Sequence, residues 1–415
     1  MELHILDWVN FLFRWLHVIT AIAWIGASFY FVWLDLNLET PPEWKENKGI
    51  KGDLWAFHGG GIYEVAKYEL APEKMPGTLH WFKWEAYSTW ITGTLLLIVL
   101  YYFNADLYLV DRSKWISSAA GSIVASVLYL CSGVIVYNLL FKAFSQKQPI
   151  VFVTFFSAFI VFSCFLSVNL FSNRAAFLHV GAMIASIMAA SVFFGIIPAQ
   201  KTFIRLLEQG SEPNASEMLA AQRRSVHNNY LTLPVLICML SNHYPFLYGH
   251  PVNWVGLCLL MAASAYGRHY FNAKHRGENK PSVLIAASVL ALATMFGLAY
   301  GQHLSNKSSP VEEQVQKATS ELPEATTDTS ESSTAETEEI LAATEKHCSS
   351  CHALSPTFPG FAAPPLGLVF DKIDNITAAK PLILTSLKTG YMPLGNMTKM
   401  TDEERQKLIS QIERL

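Results

Sequence analysis

Charge is what this sequence has least of. Lys, Arg, Asp and Glu make up 15% of its 415 residues, against about 25% in ordinary globular chains. With 51% hydrophobic residues and a mean hydropathy of +0.26, that deficit excludes a disordered chain, a coiled coil and an ordinary cytosolic enzyme. No long basic run exists and the net charge is −3, which argues against a nucleic-acid binder. His-Glu-x-x-His is missing, so a zinc protease of that type is excluded. No close pair of histidines shares one apolar run and the loop after it, unlike a haem-copper oxidase. A basic leader is also missing: Glu2 and Asp7 precede the first apolar run, so no secretory signal peptide is expected. Cysteines number six. Four of them, Cys131, Cys164, Cys238 and Cys258, stand singly in apolar runs and read as packing residues.

What is present is a series of long apolar runs. A membrane-crossing helix needs roughly 20 apolar residues, and about eight stretches approach that length: 11–34, 87–103, 115–141, 150–171, 177–198, 231–248, 252–271 and 282–303. The sixth is the weakest, because Ser241-Asn242-His243 interrupts it. Lipid cannot satisfy exposed backbone groups, so the spans are expected to be helical. The expected fold is all-α, a polytopic helix bundle over residues 1–304. Positive charge alternates between the loops. One set holds Lys45, Lys48, Lys51, Lys67, Lys74, Lys83, Lys142, Lys147, Lys201, Arg205, Arg223, Arg224, Arg268, Lys274, Arg276 and Lys280; the other holds Arg112, Lys114 and Arg174, with Arg14 just inside the first span. The first set is expected in the cytoplasm. Both termini then lie outside, in the periplasm of a bacterial inner membrane.

Residues 305–338 are rich in Ser, Thr, Glu and Pro and nearly free of aromatics, a composition that cannot bury enough apolar surface to fold. They read as a disordered acidic tether. Residues 339–415 are about the size of the smallest self-supporting domains, which often need a cofactor to hold them together. Cys348-Ser349-Ser350-Cys351-His352 is the C-x-x-C-H signature of covalent haem c. Both thiols would bond the porphyrin and His352 would be the proximal ligand. Ala363-Pro364-Pro365-Leu366 and Gly390-Tyr391-Met392-Pro393 follow in the places where a class I cytochrome c shapes its haem pocket. Met392 is the expected distal ligand, with Met397 and Met400 as competitors. His/Met ligation suits single-electron transfer, and Thr401-Asp402-Glu403-Glu404 reads as a capping box opening a final helix.

Ionisable groups within spans are functional candidates by default. His17, His179 and His303 sit near the outer ends of three spans and are candidate ligands of a non-covalent haem b; His80 and His227 lie on the cytoplasmic side. The long first loop carries His58-Gly59-Gly60-Gly61, whose glycines allow close backbone approach to a ligand, and then His80-Trp81-Phe82-Lys83-Trp84-Glu85. It is not a P-loop, since no Gly-Lys-Ser/Thr follows. Arg223-Arg224-Ser225-Val226-His227-Asn228-Asn229 is expected on the same side.

Three segments carry a resemblance: HGGGIYEVAKYELAPEKMPGTLHWFKWEAYSTWITG, NRAAFLHVGA with FFGIIPAQK, and RRSVHNNYLTLPVLICMLSNHYP. On them the chain resembles the integral-membrane urate oxidase (urate hydroxylase) family, whose members join an eight-span domain to a C-terminal cytochrome c. The resemblance implies oxidation of urate to 5-hydroxyisourate. Electrons would pass to the chain's own haem c, then to a terminal cytochrome oxidase or a soluble cytochrome c, without hydrogen peroxide. For that chemistry Arg223 or Lys83 would hold the urate anion, Asn228 and Asn229 would bond its edges, and Trp81 or Trp84 would wall it. His80, His227 or Glu85 would take protons. A cytoplasmic site leaves electrons to cross the membrane. A site of Asn173, Arg174, His179, Asn242 and His243 at the outer end would avoid this. Alternatives are a dehydrogenase for another small substrate and a membrane-anchored cytochrome c shuttle.

Overall fold

The computed structural model describes residues 5–307 and 331–415, apart from 112, 251, 355, 359–363, 365–367, 389–391 and 394–395. Its chain divides into two units, one of residues 1–110 and 114–299 and the other of 111–113 and 300–415.

The first unit is a bundle of long helices, as the apolar runs require. Helix α1 (Ile5–Leu36) is followed by a short α2 (Glu43–Glu46) and two strands, β1 (Ile50–His58) and β2 (Gly61–Tyr68). Then come α3 (Trp84–Leu97), continued by a π-helical segment Ile98–Tyr102, and a short α4 (Ala105–Tyr108). Next are α5 (Ala119–Phe144), α6 (Pro149–Leu170) and α7 (Asn173–Ala190), the last running through a second π segment, Ser191–Ile196, into α8 (Ile197–Glu208). Helices α9 (Ala215–Leu240), α10 (Pro245–Tyr248) and α11 (Asn253–His275) complete it with the first part of α12 (Pro281–Lys307), up to residue 299. Five helical stretches are long and apolar enough to cross a membrane: Trp8–Leu36, Ala119–Phe144, Pro149–Leu170, Asn173–Glu208 and Pro281–Tyr300. Helices α9 and α11 rank below them because they carry buried arginines and asparagines. The starts of α5, α7 and α9 are capped by Ser118, Ser172 and Asn214, whose side chains accept from backbone N–H groups of the first turn.

Helix α7 is the hub. It packs against α3, α5, α6 and α9, and Ala175, Ala176, Val180, Met183 and Ile187 on it are fully buried. On the face of α5 toward it lies Gly133, where an added Cβ would stand 2.3 Å from Met183 Cγ. The missing side chain lets the two helices approach closely.

Two expectations need correction. The weak sixth span does not run over 231–248. Its helix begins at Ala215 and ends at Leu240, where Ser241–His243 form a 3₁₀ turn. Counting apolar residues missed the N-terminal half of α9, which is helical but polar. The long first loop is not irregular, either. It contains an antiparallel hairpin in which Phe57 pairs with Ile62 and His58 with Gly61. Gly59 and Gly60 have φ of 58° and 83°, so they make the two-residue turn that such a hairpin requires. An added Cβ at either would meet no protein atom within 4 Å, so the positive φ of the turn is what the chain itself requires of them. Lys45, buried beneath the hairpin, bonds both Asp53 and Glu64, and these carboxylates raise its pKa.

In the second unit α13 (Glu331–His347) leads into a single turn, α14 (Ser349–His352), then α15 (Ile373–Ala378), α16 (Lys380–Lys388) and α17 (Asp402–Arg414). Ile340, Ile376, Leu387, Met400, Leu408 and Ile412 share one core. Of the span expected as a tether, residues 308–330 lie outside the described residues and Glu331 onward is helical. The capping box at Thr401 and Glu404 is formed.

Candidate functional site

Helix α9 carries the site. Its spacing places Arg224 and Asn228 one turn apart on one face, with Asn229 turned roughly 100° away. Arg224 is 7% exposed. Its guanidinium donates to Asn138 Oδ1 at 2.9 Å and Ser191 Oγ at 3.4 Å and lies 4.0 Å over the Phe141 ring. Among the described residues no carboxylate pairs with it. An arginine buried in this way is costly unless an anion joins it. Gly195 makes room for it, since a Cβ there would stand 2.5 Å from Arg224 Cδ. Gly195 and Ser191 both belong to the π segment, the kind of local helix defect that concentrates at functional sites. Asn228 donates to Met188 O at 3.0 Å, yet its buried Oδ1 has no partner. One turn along, His227 Nδ1 meets Tyr137 OH at 3.0 Å while its ring stacks on Phe152 at 4.7 Å. A cleft of about 430 Å³, lined by Lys142, Gln146, Phe194, Thr202 and Glu217 among others, reaches Arg224.

The cleft offers the Arg224 cation and the Phe141 and Phe194 rings, and the Asn228 acceptor and the His227 imidazole stand within about one turn of Arg224 on α9, outside the cleft's lining. Together these groups suit a small planar anion that also carries N–H groups.

The other candidates fall elsewhere. Arg223 Nη1 donates to Ser145 O at 2.7 Å, which caps the end of α5, so its neighbour Arg224 is the arginine turned inward. Spacing alone did not separate the two. Asn229 faces α11 and α1: its Oδ1 accepts from Arg268 Nε at 2.9 Å and Asn272 Nδ2 at 3.0 Å. Arg268 was not singled out from the sequence, where it reads as one more loop-side cation. His80 is exposed, and Lys83 lies 5.8 Å from the Trp84 ring centre. Trp84 is exposed, whereas Trp81 packs beside Val192 and Ile197. Glu85 Oε2 is buried without a partner. At the opposite end the alternative set is occupied with itself: Arg174 donates to Asn242 Oδ1 at 3.2 Å and Lys114 to Asn173 Oδ1 at 3.3 Å.

Two of the three candidate haem b histidines have described hydrogen-bond partners. His179 donates from Nδ1 to Ala175 O at 2.7 Å, and its Nε2 accepts from Ser126 Oγ at 2.7 Å. Both nitrogens are taken, as in an ordinary buried histidine. His17 Nδ1 donates toward Thr89 O and Thr92 Oγ1, each at 3.0 Å, which leaves its Nε2 alone. The side chain of His303 lies outside the described residues.

The C-terminal donor set does fit haem c. His352 is 8% exposed and donates from Nδ1 to Leu368 O at 3.0 Å, fixing the tautomer that leaves Nε2 free for iron. Its ring stacks on Phe370 at 4.7 Å. Burial pushes the Cys348 thiol up to about 12, the reverse of a redox-active C-x-x-C, which needs a lowered value. Met400 belongs to the hydrophobic core, whereas Met392 and Met397 are half-buried. The Met392 backbone is held by Arg405, which bonds its carbonyl. Gly390, Tyr391, Ala363, Pro365 and Leu366 lie outside the described residues.

No match is found among curated proteins or solved structures. The family model described as urate oxidase N-terminal matches residues 3–299, which takes in nearly all of the first unit and the whole Arg224 chamber; the chain belongs to the urate oxidase N-terminal family.

Proposed function

We propose that this protein is a membrane-bound urate oxidase. It converts urate to 5-hydroxyisourate beside α9 and delivers the electrons to haem c on its C-terminal unit. From there they pass to a terminal cytochrome oxidase or a soluble cytochrome c, without hydrogen peroxide. The observation that carries the reading is Arg224, buried with no carboxylate partner among the described residues in a member of this family. Arg224 binds the urate anion and Asn228 Oδ1 accepts a ring N–H. The Phe141 and Tyr137 rings wall the heterocycle. With Nδ1–H donating to Tyr137, His227 Nε2 accepts a proton. Urate and one water give 5-hydroxyisourate, two protons and two electrons, the water oxygen bonding to ring carbon 5. Haem c, when bound by Cys348, Cys351, His352 and Met392, supplies a one-electron acceptor. Charge placement favours the cytoplasmic half of an inner membrane for the chamber, where urate is made, and the periplasm for the haem unit; electrons would then have to cross the membrane, and a haem b on span histidines such as His17 would supply the relay.

The test is anaerobic. Urate is added to the oxidised full-length protein and the visible spectrum is recorded. The c-type α-band is expected to rise by two haem equivalents per urate consumed. No rise, with dithionite still reducing the haem, would overturn the reading.

A further inference from the structure

The opposite side of α9 holds a second set of groups that the reaction above does not use. Arg268 is 6% exposed, Asn272 2% and Asn229 is fully buried. Asn229 Oδ1 is the hub, receiving Arg268 Nε and Asn272 Nδ2, while its own Nδ2 lies 3.4 Å from Ser28 O and Ser28 Oγ on α1. The Arg268 guanidinium sits 3.8 Å over the Phe29 ring, which fixes its plane. Among the described residues its two Nη groups have no hydrogen-bond partner and no carboxylate pairs with it. Asn272 Oδ1 is buried and has no partner either. The buried Asn272 oxygen is an unfavourable deficit within a bundle, and Arg268 is complementary to it: unused donors on one, an unused acceptor on the other, both tied to the same Asn229 amide.

A ligand that answers both presents an acceptor beside a donor, and it must be flat to lie next to a guanidinium already stacked on Phe29. We infer that Arg268, Asn229 and Asn272 form a second ligand site, for a planar heterocycle with adjoining C=O and N–H groups, the imide or ureide edge. A bare inorganic anion would engage Arg268 and leave Asn272 Oδ1 unsatisfied. An isolated carbonyl ligand would do the same. The ligand's identity as urate rests on the function proposed above; the site itself rests on its own donor set. Adjacent residues of α9 thus serve two sites, Asn228 the reacting one and Asn229 a holding site for substrate arriving or product leaving.

The experiment uses full-length protein in detergent with its haem pre-reduced by dithionite under argon, so that bound urate meets no acceptor and survives. Equilibrium dialysis against radiolabelled urate then counts sites. Two equivalents per chain are expected for the natural sequence, one for Arg268→Gln and one for Arg224→Gln. Asn272→Leu, which removes the orphan acceptor without touching a charge, is expected to bind one as well, and it serves where Arg268→Gln fails to fold. One equivalent in the natural protein that survives Arg268→Gln and is lost in Arg224→Gln overturns the second site and leaves the urate reading standing. One equivalent lost in Arg268→Gln but kept in Arg224→Gln overturns the two-site inference and misplaces the reaction chamber. No binding at all overturns both.

Discussion

Replacing Arg224 by Gln separates a functional arginine from a structural one. Gln still reaches toward Asn138 Oδ1, now 2.9 Å from Arg224 Nη2, but it cannot place a positive charge beside an anion. A hydrogen bond to a charged group contributes roughly 1.5–3 kcal/mol, so kcat/KM for urate should fall on the order of 10–150-fold at about 1.4 kcal/mol per decade. Stability should move the other way or not at all. Removing a buried charge that has no partner relieves its desolvation, and the lost stacking over Phe141, about 0.5–2 kcal/mol, offsets part of that. The assay pairs stopped-flow haem reduction by urate under argon with thermal unfolding of the same preparation. Arg223→Gln is the control, because Arg223 bonds only the Ser145 carbonyl at the end of α5; it should lose about 1 kcal/mol of stability and keep its kcat/KM. An Arg224→Gln protein with unchanged kcat/KM and a large loss of stability would refute the reasoning, since the guanidinium would then be a strut.

Other consequences are as direct. Gly195→Ala places a Cβ 2.5 Å from Arg224 Cδ; the flexible side chain shifts, so urate turnover should drop roughly tenfold or more while circular dichroism and haem content stay unchanged. Cys348→Ala with Cys351→Ala should abolish haem staining on a denaturing gel. Met392→Ala should lower the haem potential and Met400→Ala should chiefly cost stability, about 2–5 kcal/mol for a buried methionine; redox titration and denaturant unfolding distinguish them. The Lys346 ammonium and the Thr401 N–H hold the Glu404 carboxyl near a pKa of about 2, below its usual 4.5. A depressed carboxylate pKa gives stability that is complete above pH 4.5 and lost as pH falls toward 2, so Soret-monitored unfolding of the C-terminal unit should steepen across that window, and less so in Glu404→Gln.

The helical bundle was legible in advance because apolar run length reports a single physical constraint. Lipid demands long apolar helices, and α5, α6, α7 and α12 obey it closely. The misreadings fall where two constraints compete. Helix α9 must be helical to cross the bundle but polar to build the chamber, so hydropathy saw only its second half. Gly59 and Gly60 satisfy a turn that needs positive φ, a role that a run of glycines in sequence does not separate from ligand approach. Arg223 and Arg224 are chemically identical in the sequence; a rotation of 100° along α9 decides which caps α5 and which enters the chamber. The partners of His179, Ser126 Oγ and Ala175 O, were not legible either, since spacing in one span does not show which groups of a neighbouring span it meets.

The unpaired groups themselves carry the last step of the argument. A bundle selected for stability alone would place a carboxylate against Arg224 and another against Arg268, or replace both by apolar residues, and either change is commonly neutral or stabilising. Here two buried guanidiniums have no carboxylate partner among the described residues, and each has an unpartnered asparagine carbonyl oxygen one turn further along its own helix, Asn228 after Arg224 on α9 and Asn272 after Arg268 on α11. The incomplete groups pair off, one cation with one acceptor on each helix, and each pair is complementary to the edge of the same kind of molecule. A ligand with adjoining C=O and N–H groups removes both deficits at once, so the binding energy that an apolar bundle would have kept as stability is available to hold a heterocycle in place.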